Sequence, residues 1–113
     1  VYRFGKPTPL ERLDLPGPGP EIWVKREDLS PIKAYKWRGA CNRMALLSTS
    51  EAKRGVVTAS AGNHAPGVAR PAKILGIHAS IYLPRTTAKV TQRTVSQSRC
   101  IGRALHLCPW RLN

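Results

Sequence analysis

The sequence predicts an α/β fold built from parallel-sheet βαβ units, and three observations carry that expectation. Apolar runs of strand length alternate with segments whose apolar residues recur at helical spacing. The runs Gly55-Val-Val-Thr-Ala-Ser60 and His78-Ala-Ser-Ile-Tyr-Leu83 are apolar on both faces, as strands inside a parallel sheet are. With 113 residues the chain has the length of one domain and enough surface to bury a single core.

Taken in order, residues 1–20 hold half of the ten prolines. Thr8–Leu15 reads as a short strand or extended arm, and Pro16–Pro20 as a turn and breaker. Ile22, Trp23 and Val24 mark a strand, and Pro31 makes the segment after it a loop. From Trp37 to Leu47 the positions Trp37, Ala40, Cys41, Met44 and Leu47 repeat at helical spacing, with Arg38, Asn42 and Arg43 opposite. Ser48–Gly55 is a polar connection with room for a helical turn.

The run from Gly55 is expected to be an interior strand. A second helix follows, with Ala65, Val68, Ala72 and Leu75 on one face and Arg70 and Lys73 on the other. His78–Leu83 is the next strand, closed by Pro84, and a third helix is expected to begin with Thr86 or Thr87 as its cap. Pattern weakens after about Val95. Residues 96–113 are expected to be a basic, poorly ordered tail, the alternative there being a short docking helix over Gly102–Leu107.

Charge sharpens the division. The chain carries 19 basic and 6 acidic residues, a net +13. All six acids lie in the first 51 residues beside nine Lys/Arg, whereas residues 52–113 hold ten Lys/Arg and no acid. Taken alone, this balance suggests a small basic module that binds nucleic acid or another polyanion. Scattering of the basic residues over several faces, without a nucleic-acid-binding motif, makes that the secondary reading. Cys41, Cys100 and Cys108 fit no zinc spacing and no even disulfide set, so no metal is expected and a reducing cytoplasm is the expected location. No apolar run reaches the roughly 20 residues of a membrane span, and Val1–Pro20 lacks the form of a signal peptide.

Two constellations can carry chemistry. Lys36 stands where a helix begins, at the positive end of its dipole, where an ammonium is disfavoured. That suits an amine working as a nucleophile or imine, although a lone lysine there more often is a solvated surface group. The second is Ser60-Ala61-Gly62-Asn63-His64, a small-residue turn from a strand into a helix. Its backbone N–H groups converge as in sites for carboxylate or phosphate. Taken alone, this segment more often is an ordinary turn with Asn63 as capping side chain and His64 as a structural histidine.

Together the two are far more specific. Lys25-Arg-Glu-Asp-Leu-Ser-Pro-Ile-Lys-Ala-Tyr-Lys-Trp-Arg-Gly-Ala-Cys-Asn-Arg-Met44, then Gly55–Ala69, then Leu75–Thr87, resembles the threonine/serine dehydratase family. These are pyridoxal 5′-phosphate enzymes of fold type II, the tryptophan-synthase β-like group. The resemblance runs from about Lys6 to Arg93. It implies that Lys36 is the lysine carrying the cofactor as an internal aldimine and the proton-transfer residue. It places Tyr35 beside the cofactor ring and Asn63 at its ring hydroxyl. Ser60, Ala61, Gly62, Asn63 and His64 become the turn that receives the substrate carboxylate.

The implied reaction is removal of water from threonine or serine, giving a 2-oxo acid and ammonia, as in isoleucine biosynthesis. A homo-oligomeric parent enzyme is implied as well. Serine racemases of this fold place a serine base where this chain has Ala61, so elimination is expected over racemisation. Two prolines depart from the pattern. Pro66 falls in a first helical turn, where its missing N–H is tolerated; Pro71 falls mid-helix, at a cost of about 3 kcal/mol. Family members are about three times longer, so the chain is expected to be an N-terminal piece, inactive alone. A shifted reading frame or gene decay near residue 95 is the sharper expectation.

Overall fold

A computed structural model describes residues 3–98 and 105–108. The expected alternation of strands and helices is present, arranged as two sheets. Strands β1 (Leu10–Leu13) and β2 (Ile22–Lys25) form an antiparallel ribbon, with Leu10 opposite Lys25 and Leu13 opposite Ile22. Strands β3 (Val56–Ala59), β4 (Ala79–Pro84) and β5 (Leu105–Cys108) form a parallel sheet in that order. Helices α1 (Lys36–Ala45), α2 (Thr49–Arg54), α3 (His64–Leu75) and α4 (Lys89–Gln97) connect them.

The core lies between this parallel sheet and the helices. Met44 of α1, Ala65, Val68, Ala69 and Ala72 of α3, and Val95 of α4 close on Ala79, Ile81 and Leu83 of β4. The alanines let helix and strand approach and the larger side chains fill the space between them, so the face of β4 bearing Ala79, Ile81 and Leu83 is buried. Trp37 and Cys41 are also fully buried, as the helical spacing required.

Four local expectations are corrected. Within this sheet β3 is an edge strand and β4 the central one, so β3 is not interior. Val57 is accordingly 75% exposed, because the helices in contact with the sheet cover the face that Val56 and Ile81 share. The cap of α4 is Ala88 and makes no side-chain bond, so neither Thr86 nor Thr87 caps it. Thr87 is instead buried, donating its N–H to Pro84 and accepting at its carbonyl from the Gln92 amide. Asn63 stands at the cap position of α3 with helical backbone angles, and its side chain makes no capping bond. Lastly, residues 105–108 are a strand, not part of a helix; the rest of the segment after Ser98 lies outside the described residues.

Pro71 does not end α3. The helix runs from His64 to Leu75 around it, with the proline fully buried. Pro71 lies among the small apolar residues Ala65, Val68, Ala69 and Ala72 that this helix buries.

An ion-paired corner ties the arm to α1. Arg38 donates through Nε to both carboxylate oxygens of Glu27 at 3.1–3.2 Å, and its Nη2 lies 3.1 Å from Oε1 in an ion pair. The Thr8 hydroxyl donates to the same carboxylate at 2.7 Å, and the Lys25 ammonium donates to the Thr8 carbonyl. Arg38 also lies over the Trp37 ring, 5.1 Å from its centroid. The hydrogen bond from Arg38, more than any other contact, holds the Glu27 carboxyl below the usual carboxylate range, against the opposing effect of burial.

Because that value is lowered in the folded state, the stability from this corner is present above the ordinary carboxylate range. It is lost as pH falls through the lowered value. Glu27→Gln is expected to destabilise the chain by about 1–2 kcal/mol at pH 7, the range for a partly shielded charged hydrogen bond. Urea unfolding at pH 7 and near pH 3 checks it: the difference between variant and parent should shrink on acidification.

Candidate active site

Lys36 is the first residue of α1 and is exposed. Tyr35, just before it, is 64% exposed and makes no side-chain capping bond. The turn from β3 into α3 holds the other expected residues. Ser60 is half-buried; Ala61, Gly62 and Asn63 are exposed; His64 is half-buried and opens α3.

The turn is shaped by its own small residues. Ser60 donates its N–H to the Tyr82 carbonyl at 3.1 Å, which fixes the turn to the end of β4. Its hydroxyl accepts from the Gly62 N–H at 3.2 Å. Of the first-turn N–H groups of α3, that of Ala65 is taken by the Gly62 carbonyl, and Pro66 has none. The N–H groups of Asn63 and His64 are therefore the ones a helix start leaves for an outside acceptor. A Cβ at Gly62 would meet nothing within 4 Å, so a ligand can reach this backbone.

Gly67 brings the two constellations together. A Cβ there would stand 3.3 Å from the Trp37 nitrogen and 3.4 Å from the Lys36 carbonyl carbon. Helix α1 thus lays its first turn directly on α3, three residues after His64. The absent side chain permits backbone-to-backbone approach between the first turn of α1 and α3. Neither helix start has a side-chain cap, so each leaves first-turn N–H groups at the positive end of its dipole.

Sequence reasoning missed Gly67, although a lone glycine inside a helical pattern is a known sign of close backbone approach. It missed Ser30 as well, which closes the loop before Lys36. Ser48 and Glu51 form a capping box at α2, a signal legible as Ser-x-x-Glu.

An exposed lysine opens α1, and a turn of small residues leads from a parallel strand into α3, the helix on which α1 packs at Gly67. The chain belongs to the family of pyridoxal-phosphate dependent enzymes, whose model matches residues 1–110. That match extends beyond Arg93, where the motif resemblance ends. The chain is 42% identical over 99 residues to the mitochondrial threonine dehydratase of Schizosaccharomyces pombe, covering 86% of this chain and 16% of that protein. It is 46% identical over 98 residues to the biosynthetic L-threonine dehydratase of Bacillus subtilis, covering 85% and 22%.

Among solved structures it resembles threonine deaminase isoform 2 of Solanum lycopersicum, with TM-score 0.66 and 38% identity, over 76% of this chain and 24% of that one. Maize serine racemase gives TM-score 0.70 and 35% identity, over 76% and 26%. The fold is that of the N-terminal part of a fold type II pyridoxal-phosphate enzyme. The chain spans 16–22% of the length of these curated relatives. Among the described residues, no helix is long and apolar enough to cross a membrane, and no group of His, Cys, Asp or Glu is placed to hold a metal ion.

Proposed function

We propose that this chain carries the lysine half of a threonine dehydratase site, acting on threonine or serine by β-elimination of water. The observation that supports the reading is the close approach of the Lys36–Trp37 backbone to Gly67, three residues after His64 on the helix that the Ser60–His64 turn opens. The donor set fits pyridoxal phosphate: an exposed amine for the aldehyde, an aromatic at Tyr35, an amide at Asn63 and uncapped helix starts for anionic groups. When bound, that cofactor supplies the electron sink that makes an amino acid's α-proton removable.

Lys36 holds the cofactor through Nζ and then moves the α-proton at the same atom. Asn63 binds the ring oxygen through its side-chain amide. The N–H groups of Asn63 and His64, with Ser60, Ala61 and Gly62 shaping the turn, bind and orient the substrate carboxylate. Ala61 ends in a methyl group and cannot take a proton. Position 61 therefore supplies no second base opposite Lys36, which favours elimination over racemisation.

The 113 residues alone are expected to bind weakly and not to turn over. Lys36, Tyr35, Ala61, Gly62 and Asn63 are all exposed, so these residues do not exclude water or hold a substrate in one geometry. The reading includes a cytoplasmic location and a homo-oligomeric whole enzyme; relatives named mitochondrial and chloroplastic place the same chemistry in organelles. The polyanion-binding alternative gains no support, and several cations are engaged internally, Arg38 with Glu27 and Arg26 with Glu11 and Asp28.

Spectrophotometric titration with pyridoxal phosphate, followed by threonine and an assay for 2-oxo acid, tests the reading. A weak, saturable signal without product is the expected result. Tight binding with threonine turnover would overturn the inactivity of the isolated chain. No saturable signal at all would remove the site assignment.

A further inference from the structure

We propose that Ser30 is a positioning residue that holds Lys36 in place for its carbonyl partner, a role that rests on the reading of Lys36 given above. Residues 30–35 link the short 3₁₀ turn Glu27–Leu29 to α1 and must deliver Lys36 at the first helical position. Ser30 engages that loop through every polar atom it has. Its N–H donates to the Glu27 carbonyl at 3.1 Å, and its carbonyl accepts from the Lys33 N–H at 2.9 Å. Its hydroxyl accepts from the Ala34 N–H at 2.9 Å and donates to the Ala34 carbonyl at 3.0 Å.

Both ends of this clamp are shielded: Ser30 is 5% exposed and Ala34 is 9% exposed. Shielding removes water as a competitor, so the paired bonds restrain more than they would at a surface. The intervening residues cannot substitute for them. Pro31 has no N–H, and Ile32 has no polar side-chain atom. Lys33 sits at φ 55°, a left-handed conformation that a non-glycine residue keeps only when its surroundings impose it.

Helix α1 has no side-chain cap of its own, so its start is set by what precedes it. Ser30 fixes Ala34 two residues before Lys36, and Gly67 seats the backbone of Lys36 and Trp37 from the other side. The lysine side chain then swings from a fixed Cα. A fixed origin raises the fraction of time that Nζ spends at one position, which is what site-selective bond formation needs.

The test uses the 113-residue chain and pyridoxal phosphate as probe. The neutral lysine amine bonds to the aldehyde carbon and water leaves; borohydride then adds hydride to that carbon and makes the link permanent. Peptide mapping gives the label on Lys36 relative to Lys53 and Lys89, two exposed lysines remote in sequence from the loop. Amide hydrogen exchange at Ala34 reads the clamp without any cofactor.

In Ser30→Ala, the Lys36 share is expected to fall by about fivefold, the factor that one net hydrogen bond supplies. Ala34 exchange should quicken by a similar factor while labelling at Lys53 and Lys89 stays unchanged. Ser30→Thr keeps the hydroxyl and should restore both readouts. Ser30→Cys keeps the volume but bonds weakly, so it should fall between; it replaces Ser30→Ala should that variant not fold.

A Lys36 share unchanged in Ser30→Ala, with Ala34 exchange quickened, overturns the positioning role while leaving Lys36 as the attachment site. Unchanged Ala34 exchange overturns the clamp itself. If the parent chain shows no preference for Lys36, the reading of Lys36 fails and the positioning role falls with it; protection of Ala34 in that same chain identifies which of the two was wrong.

Discussion

Lys36→Ala is expected to abolish the saturable, site-specific attachment of pyridoxal phosphate, leaving only slow labelling spread over the remaining lysines. The expected loss in apparent affinity is about tenfold or more, equivalent to at least about 1.4 kcal/mol. Lys33→Ala is the matched control: it removes an exposed lysine from the same loop but not the one seated on Gly67. Absorbance titration of the two variants separates the possibilities. Retained saturable binding in Lys36→Ala, or its loss in a folded Lys33→Ala, would place the attachment elsewhere. Because Lys36 is exposed at the start of α1, its removal should leave the melting transition within about 0.5 kcal/mol of the parent.

Gly55→Val is expected to have the largest effect on stability, about 3 kcal/mol or more. Gly55 has φ 81° and ψ −171°, a region open essentially to glycine alone. A Cβ there would lie 2.7 Å from the His78 carbonyl oxygen, too close for any real contact. That oxygen accepts the Val56 N–H at 2.8 Å, so relieving the clash breaks the start of the β3–β4 ladder. The consequence reaches the candidate site, since β3 leads into the Ser60–His64 turn. Such a loss is a large share of the 5–15 kcal/mol that typical domains possess. Urea unfolding, with Gly19→Ala as control because open space surrounds that position, measures it. A Gly55→Val midpoint equal to the parent's would contradict the strained geometry.

Much of this was legible before any coordinates. Helical spacing named Trp37, Ala40, Cys41, Met44 and Leu47 as the apolar stripe of α1, and Ala65, Val68, Ala72 and Leu75 as that of α3; Ala40, Leu47 and Leu75 are partly buried against the core and the others are buried. Periodicity reports which face an element buries, and these helices bury one face. It does not report what lies across from a strand, which is why GVVTAS looked interior although β3 borders its sheet and leaves Val57 open. Composition suggested Thr86 or Thr87 as a cap, yet tertiary packing buried Thr87 and moved the helix start beyond it.

The site was legible in part for a similar reason. Lys36 and the Ser60–His64 turn are local features whose residue types announce their chemistry. What joins them is not local. Gly67 matters through the backbone of another helix, and Ser30 through a carbonyl and an N–H that every residue has. The Ser30 relation leaves no periodic or compositional trace, and that of Gly67 leaves only a glycine within a helical pattern. Pro71 illustrates the converse: local propensity against a helix is overridden where the helix face is committed to the core.

One measurement bears most directly on whether the starts of α1 and α3 form a single site. Backbone amide resonances of the labelled chain are followed by NMR during titration with pyridoxal phosphate. Shifts at Lys36 and Trp37 should develop together with those at Asn63 and His64, along one binding curve, and Lys36→Ala should suppress both sets. Shifts confined to the basic surface of α4 around Lys89 and Arg93, or separate curves for the two helix starts, would contradict a shared site.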